Sequence, residues 1–96
     1  MPIDEKFANE AKRSFSKKYR RQISGLGYDM DLEVGRYEGI LSIIATLQNP
    51  DNSPIGLDIL SMIRRTIPYV YEHGKKEIDV VLRCSGYKQK NSADLF

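Results

Sequence analysis

The chain has little of the residue types on which many enzymes and metal sites depend. Its 96 residues include one cysteine, one histidine and no tryptophan. A lone Cys84 excludes an internal disulfide framework, and Cys84 with His73 cannot supply a zinc site made of Cys and His ligands. No apolar run reaches the roughly 18–20 residues of a membrane span. The polar, acidic first ten residues predict no secretory signal, and the single cysteine favours a reducing cytoplasm.

Charge is plentiful and unevenly placed, although the formal net charge is only +2. Residues 11–28 carry six Lys and Arg side chains and no acid, whereas residues 29–63 carry six acids and one Arg. A local excess of one sign creates a field that the net charge hides. Such a run is often only a solvated helix face. It can also meet phosphates or an acidic protein surface.

The first 23 residues predict an amphipathic helix over residues 3–23. Its apolar side chains recur every four residues, and they are Ile3, Phe7, Ala11, Phe15, Tyr19 and Ile23. Gly25 and Gly27 are expected to end the helix. Acids near its start and the basic cluster near its end suit the helix dipole. The basic cluster therefore has a structural explanation besides a functional one.

Two strands are predicted after this helix. Residues 28–34 alternate strictly between apolar and acidic side chains, which indicates a strand with one wet face. Residues 35–39 contain two glycines and predict a turn. Residues 40–47 form an almost continuous apolar run, which is typical of a central strand covered on both faces.

A second helix and a third strand are predicted in the remaining half. Ser53 and Pro54 form an N-cap and first-turn pair, so the helix is expected over residues 54–73. Pro68 should kink or break that helix. Residues 77–84 predict a strand.

The predicted fold class is therefore α+β, a two-layer sandwich of order α-β-β-α-β. It has a three-stranded sheet with both helices on one face, and its last strand runs parallel to the strand before the second helix. Residues 1–87 are predicted to be a single domain, with a flexible C-terminal tail over 88–96. The last strand or the first hairpin strand could pair across a two-fold axis, which makes a homodimer plausible.

The residues predict no catalytic set, no metal site and no cofactor. Asp29, Asp31 and Glu33 share one strand face, but neighbours there lie about 6.5–7 Å apart, which is far for one shared ion. Glu77 and Asp79 form a second acidic pair. A small metal-dependent enzyme using these acids is the weakest alternative. His73 has no evident partner for general base chemistry.

Two groups of residues are candidates for binding. The first is the basic helix, with Lys12, Arg13, Lys17, Arg20 and Arg21 beside Tyr19, which could meet a protein partner or nucleic acid. The second is Arg64, Arg65 and Tyr69, whose composition is typical of protein interface hot spots. We therefore predict a small cytoplasmic, non-catalytic protein-interaction module that acts as an adaptor, inhibitor or accessory factor and does not bind membranes. The alternative is a nucleic-acid binder that contacts the phosphate backbone without reading sequence.

Overall fold

The computed structural model describes residues 3–84, which form two helices and one four-stranded sheet. In chain order the elements are α1 (Glu5–Gly25), β1 (Asp29–Tyr37), β2 (Ile40–Gln48), α2 (Leu57–Thr66), β3 (Val70–His73) and β4 (Lys76–Cys84). The predicted α+β class is confirmed. The prediction of three strands in the order α-β-β-α-β is wrong, because a fourth strand gives α-β-β-α-β-β. The tail predicted over 88–96, and with it the end of the predicted domain, lies outside the described residues.

Local hydrogen bonds define both ends of helix α1. The Asp4 carboxylate accepts a hydrogen bond of 2.8 Å from the amide of Phe7, which satisfies a free donor of the first turn. At the other end the amides of Leu26 and Gly27 donate to the carbonyls of Ile23 and Ser24. Gly27 follows with a φ of 95°, a conformation that glycine adopts without steric cost. The predicted helix is therefore confirmed, shifted by two residues at each end.

The first hairpin is longer than the sequence predicts. β1 and β2 pair antiparallel from Asp29 opposite Gln48 to Tyr37 opposite Ile40. Only Glu38 and Gly39 form the turn, with φ values of 51° and 82°. A two-residue turn with both φ values positive matches the twist of paired strands. The predicted turn at 35–39 is therefore mostly strand.

The helix predicted over 54–73 is the main error at the sequence level. Pro68 favours extended backbone at the residue before it, and Ile67 has a ψ of 128°. Residues 70–73 then continue as β3. The predicted start at Ser53 is also wrong. The Ser53 hydroxyl and amide donate to the Asp51 carboxylate at 2.6 and 3.0 Å, and α2 begins after Gly56 with no side-chain cap.

The sheet has the order β1-β2-β4-β3. β2 and β4 are parallel, as predicted, and β3 and β4 pair antiparallel through a short turn in which Gly74 has a φ of 66°. Because β4 lies between β2 and β3, the last strand is not an edge. The prediction that it could pair with a second copy is wrong, and the edge strands of the described chain are β1 and β3.

One core cluster joins both helices to one face of the sheet. Phe15 of α1 is fully buried, and its ring centroid lies 4.7 Å from that of Tyr19 and 5.3 Å from that of Tyr71. The hydroxyl groups of Ser14 and Tyr71 are 2.6 Å apart and hydrogen-bonded. These contacts attach α1 to β3 and fix which side of the helix faces solvent.

Candidate interaction surface

The basic face of α1 consists of the six cations that the sequence places between residues 12 and 21. They reach the surface because the apolar side chains of α1 occupy the sheet side of the helix: Ala8, Ala11, Phe15, Tyr19 and Ile23 are all buried. Five of the cations are exposed and one is half-buried. In order they are Lys12 (half-buried), Arg13, Lys17, Lys18, Arg20 and Arg21.

The cations of the basic face make no ion pair with the acids of residues 3–84. The ion pair found there joins Arg83 to Glu33 at 3.4 Å, on the other side of the molecule. Arg20 donates from Nε to the Ser16 hydroxyl at 3.0 Å, and the Lys18 ammonium lies 5.5 Å from the Tyr19 ring centroid. The positive charge of the basic face is therefore not neutralised by ion pairs with the acids of residues 3–84.

The predicted benefit from the helix dipole does not apply to this cluster. The last turn of α1 contains no basic residue. The effect of the dipole on a charge falls off within that turn. The structural explanation that the sequence offered for the basic cluster is therefore weak.

Shallow depressions border the basic face, and two of them lie toward the C-terminal end of α1. One, of about 520 Å³, is lined by Lys17, Arg20 and Arg21, with the hydroxyl groups of Ser16 and Ser24. The two serines were not among the predicted site residues, although they follow the cations at helical spacing. The other depression, of about 400 Å³, brings Arg20 and Ser24 near two acids of β1. These are Asp29 and Asp31, and neither forms an ion pair with Arg20.

Tyr19 is placed away from the predicted binding surface. It is 9% exposed, and its ring packs against Phe15 in the core. A base or a partner side chain has no open ring face to stack on there. We therefore assign Tyr19 to the hydrophobic core that packs beneath α1 and supports the basic face.

In the second predicted group, Arg64, Arg65 and Tyr69, the structure brings Arg64 and Tyr69 into contact. The guanidinium carbon of Arg64 lies 4.1 Å from the centroid of Tyr69, a cation–π contact. Tyr69 is 66% exposed, and Arg65 is also exposed. Nη1 of Arg64 is buried without a hydrogen-bond partner in the described part of the chain. The end of α2 thus presents Tyr69 and Arg65 to solvent, whereas Arg64 is half-buried.

The acids, the histidine and the cysteine do not converge. Within residues 3–84 no three His, Cys, Asp or Glu side chains are close enough to hold a metal ion. The His73 ring packs 5.7 Å from the Phe7 ring, centroid to centroid. Cys84 is half-buried, and this burial raises the pKa of its thiol. The raised pKa disfavours the reactive thiolate.

Comparison of the chain with protein-family models, curated proteins and solved structures found no match. Neither helix of the described residues is long and apolar enough to cross a bilayer.

Proposed function

We propose that this protein is a non-catalytic interaction module whose basic face binds an acidic surface on a protein partner. The observation that carries the proposal is the exposed cluster of cations on α1 that makes no ion pair with the acids of residues 3–84. A surface of this kind speeds encounter with an acidic partner and selects against basic ones.

The spacing of the cations supports a role outside folding. Arg13, Lys17 and Arg21 follow one another at four-residue intervals, so like charges are neighbours along the helix. Each such pair destabilises a helix by about 0.2–0.5 kcal/mol. The arrangement has a small cost in stability, and binding an anionic partner would offset it.

A protein partner is favoured over nucleic acid by two features of the surroundings. Tyr19, the aromatic side chain within the cluster, is buried and cannot stack on a base. In addition, Asp29 and Asp31 lie beside Arg20 and repel a long polyanion that runs past this end of the helix. A short acidic segment of a protein can bind Arg13, Lys17 and Arg21 without extending to those carboxylates. Nucleic acid is the alternative, and it would contact phosphates alone.

Self-association is not part of the proposal. β1 is a nine-residue edge strand, which is long enough to pair with a second copy. It carries three exposed acids, Asp29, Asp31 and Glu33. Charged side chains on an edge strand disfavour pairing between sheets.

Fluorescence anisotropy tests the proposal with two labelled probes, a 15-residue peptide rich in Asp and Glu and a DNA strand of the same length. The test variant combines Lys17→Glu, Arg20→Glu and Arg21→Glu. The control makes the same charge change at exposed cations elsewhere: Lys6→Glu, Arg36→Glu and Lys75→Glu. We expect the peptide to bind the natural protein and the control but not the test variant, with affinity that falls as salt rises.

Two results contradict the proposal. Equal loss of peptide binding in both variants would mean that net charge, and not the basic face, determines the interaction. Tighter binding of the DNA strand than of the peptide would establish the nucleic-acid alternative. In that case the logarithm of affinity should fall linearly with the logarithm of salt concentration.

A further inference from the structure

The sheet face opposite the helices gathers carboxylates from three strands. β1 supplies three of them, β3 one and β4 two, and all six are exposed. They are Asp29, Asp31, Glu33, Glu72, Glu77 and Asp79. They share a face because side chains alternate along each strand and the register aligns the strands: Asp79 lies opposite both Ser42 and Val70. We call this surface the open face.

The open face is strongly acidic. Its cation is Arg83, and the guanidinium of that residue is already paired with Glu33 at 3.4 Å. The basic face of α1 points away from the other side of the sheet. The molecule therefore has surfaces of opposite sign on its two sides, which the net charge of +2 does not reveal.

The open face is also partly apolar. Of the exposed large hydrophobic side chains in the described residues, Ile40 (55% exposed), Tyr37 (47%) and Val70 (42%) lie on it. Ile44 lies beside Val81 at its centre but is buried (5% exposed), so the accessible apolar surface consists of Ile40, Tyr37 and Val70. The two strands at the centre, β2 and β4, are parallel, and parallel strand pairs are ordinarily covered on both faces. Within residues 3–84 both helices contribute to the core on the other face.

The acids restrict what can cover this surface. Two open faces packed against each other would oppose six carboxylates with six more, and like charges across an interface cost several kcal/mol. The same repulsion excludes nucleic acid. The basic face of a second copy has the right sign, but the apolar residues of α1 point inward and leave nothing to cover Ile40 and Tyr37. The remaining fit is a separate partner with cations around an apolar stripe.

We propose that the open face binds a basic amphipathic helix of a partner protein. Acids on β1 recur every second residue, or about 6.5–7 Å, and cations four residues apart on a helix are separated by about 6 Å. Lys or Arg side chains at that spacing can meet Asp29, Asp31 and the acids of β4 in turn, while the apolar stripe of the helix covers Ile40 and Tyr37. This surface meets the basic face at the β1 edge, where Asp29 and Asp31 share a depression with Arg20. Elsewhere the two surfaces lie on opposite sides of the sheet, so the protein would connect an acidic partner to a basic one.

The test uses the full chain and a labelled 15-residue amphipathic helix of Leu and Lys, followed by fluorescence anisotropy at low and high salt. A peptide of the same composition with its Leu spacing scrambled tests the apolar contribution. The face variant combines Asp31→Asn, Glu77→Gln and Asp79→Asn. Glu33 stays in place so that Arg83 keeps its partner. The control variant neutralises exposed acids off the face: Glu5→Gln, Glu38→Gln and Asp58→Asn.

We expect the amphipathic peptide to bind the natural protein and the control alike and to bind the face variant about tenfold more weakly, since each exposed ion pair contributes a fraction of that factor. Ile40→Thr should weaken binding without changing charge. Circular dichroism should show all three variants folded, because removing neighbouring like charges does not destabilise the sheet.

Three results would overturn the inference. They are equal binding of the scrambled peptide, equal binding to the face variant, and salt-sensitive self-association that the face variant abolishes. The last would make the basic face of a second copy the occupant. Charge reversal at Lys17 and Arg21, which line no depression with the acids of β1, should leave this binding intact, so failure here and failure of the proposed function are distinguishable.

Discussion

The hydrogen bond between Ser14 and Tyr71 provides the sharpest test of how the basic face is held. The two hydroxyl oxygens are 2.6 Å apart, partly buried, and 57 residues apart in sequence. Tyr71 is 8% exposed. The bond exists only if residues 70–73 form a strand under α1. A double-mutant cycle with Ser14→Ala, Tyr71→Phe and the double variant isolates it, because each change removes one hydroxyl and little else.

The expected coupling follows from the chemistry of the pair. A hydrogen bond between neutral groups contributes about 0.5–1.5 kcal/mol to folding. In a domain of this size, 1 kcal/mol changes the unfolding temperature by about 4–8 °C. Ser14→Ala also gains helix propensity, which partly offsets its loss. The cycle cancels that gain, so the coupling should be about 1 kcal/mol.

Urea unfolding followed by circular dichroism measures the four free energies of unfolding. Tyr71→Phe should lower the free energy of unfolding by more than Ser14→Ala does, because Ser14→Ala also gains helix propensity. Coupling below about 0.3 kcal/mol, within the usual additivity error, would refute the contact and with it the placement of β3 against α1.

Three further predictions concern the core, a turn and a carboxyl group. Phe15→Ala should destabilise folding by about 3–5 kcal/mol, measured by urea unfolding, because the ring is fully buried between aromatic neighbours. Gly39→Ala should cost about 1–2 kcal/mol through its φ of 82°, whereas Gly25→Ala at the end of α1 should not destabilise. Hydrogen bonds from the Ser53 hydroxyl and amide lower the pKa of Asp51. In Ser53→Ala, NMR titration should give a higher pKa for Asp51 than in the natural protein. Because the folded pKa is the lower one, the stabilisation is present above the unfolded pKa and is lost as pH falls through the folded value.

The candidate surface was only partly predictable from the sequence. The four-residue apolar period of residues 3–23 predicts that Arg13, Lys17 and Arg20 face outward, because a helix fixes which side chains share a side. The burial of Tyr19 follows from the same period. Its predicted place among the binding residues was inconsistent with its position in the apolar stripe. The open face could not be predicted, because Asp31 and Asp79 come to share one face only through the register between strands far apart in the chain.

Local chemistry by itself determined helix α1, the hairpin and the parallel relation of β2 and β4. Capping residues, alternation and handed crossovers act over short stretches of chain or follow from general chirality. Only the tertiary structure decided that residues 70–73 form a strand. Four residues with mixed polarity favour neither state strongly, and pairing with Lys76–Asp79 supplies the hydrogen bonds that select the strand. The opposite charges on the two sides arise in the same way, since the folded sheet collects acids that are separated along the chain.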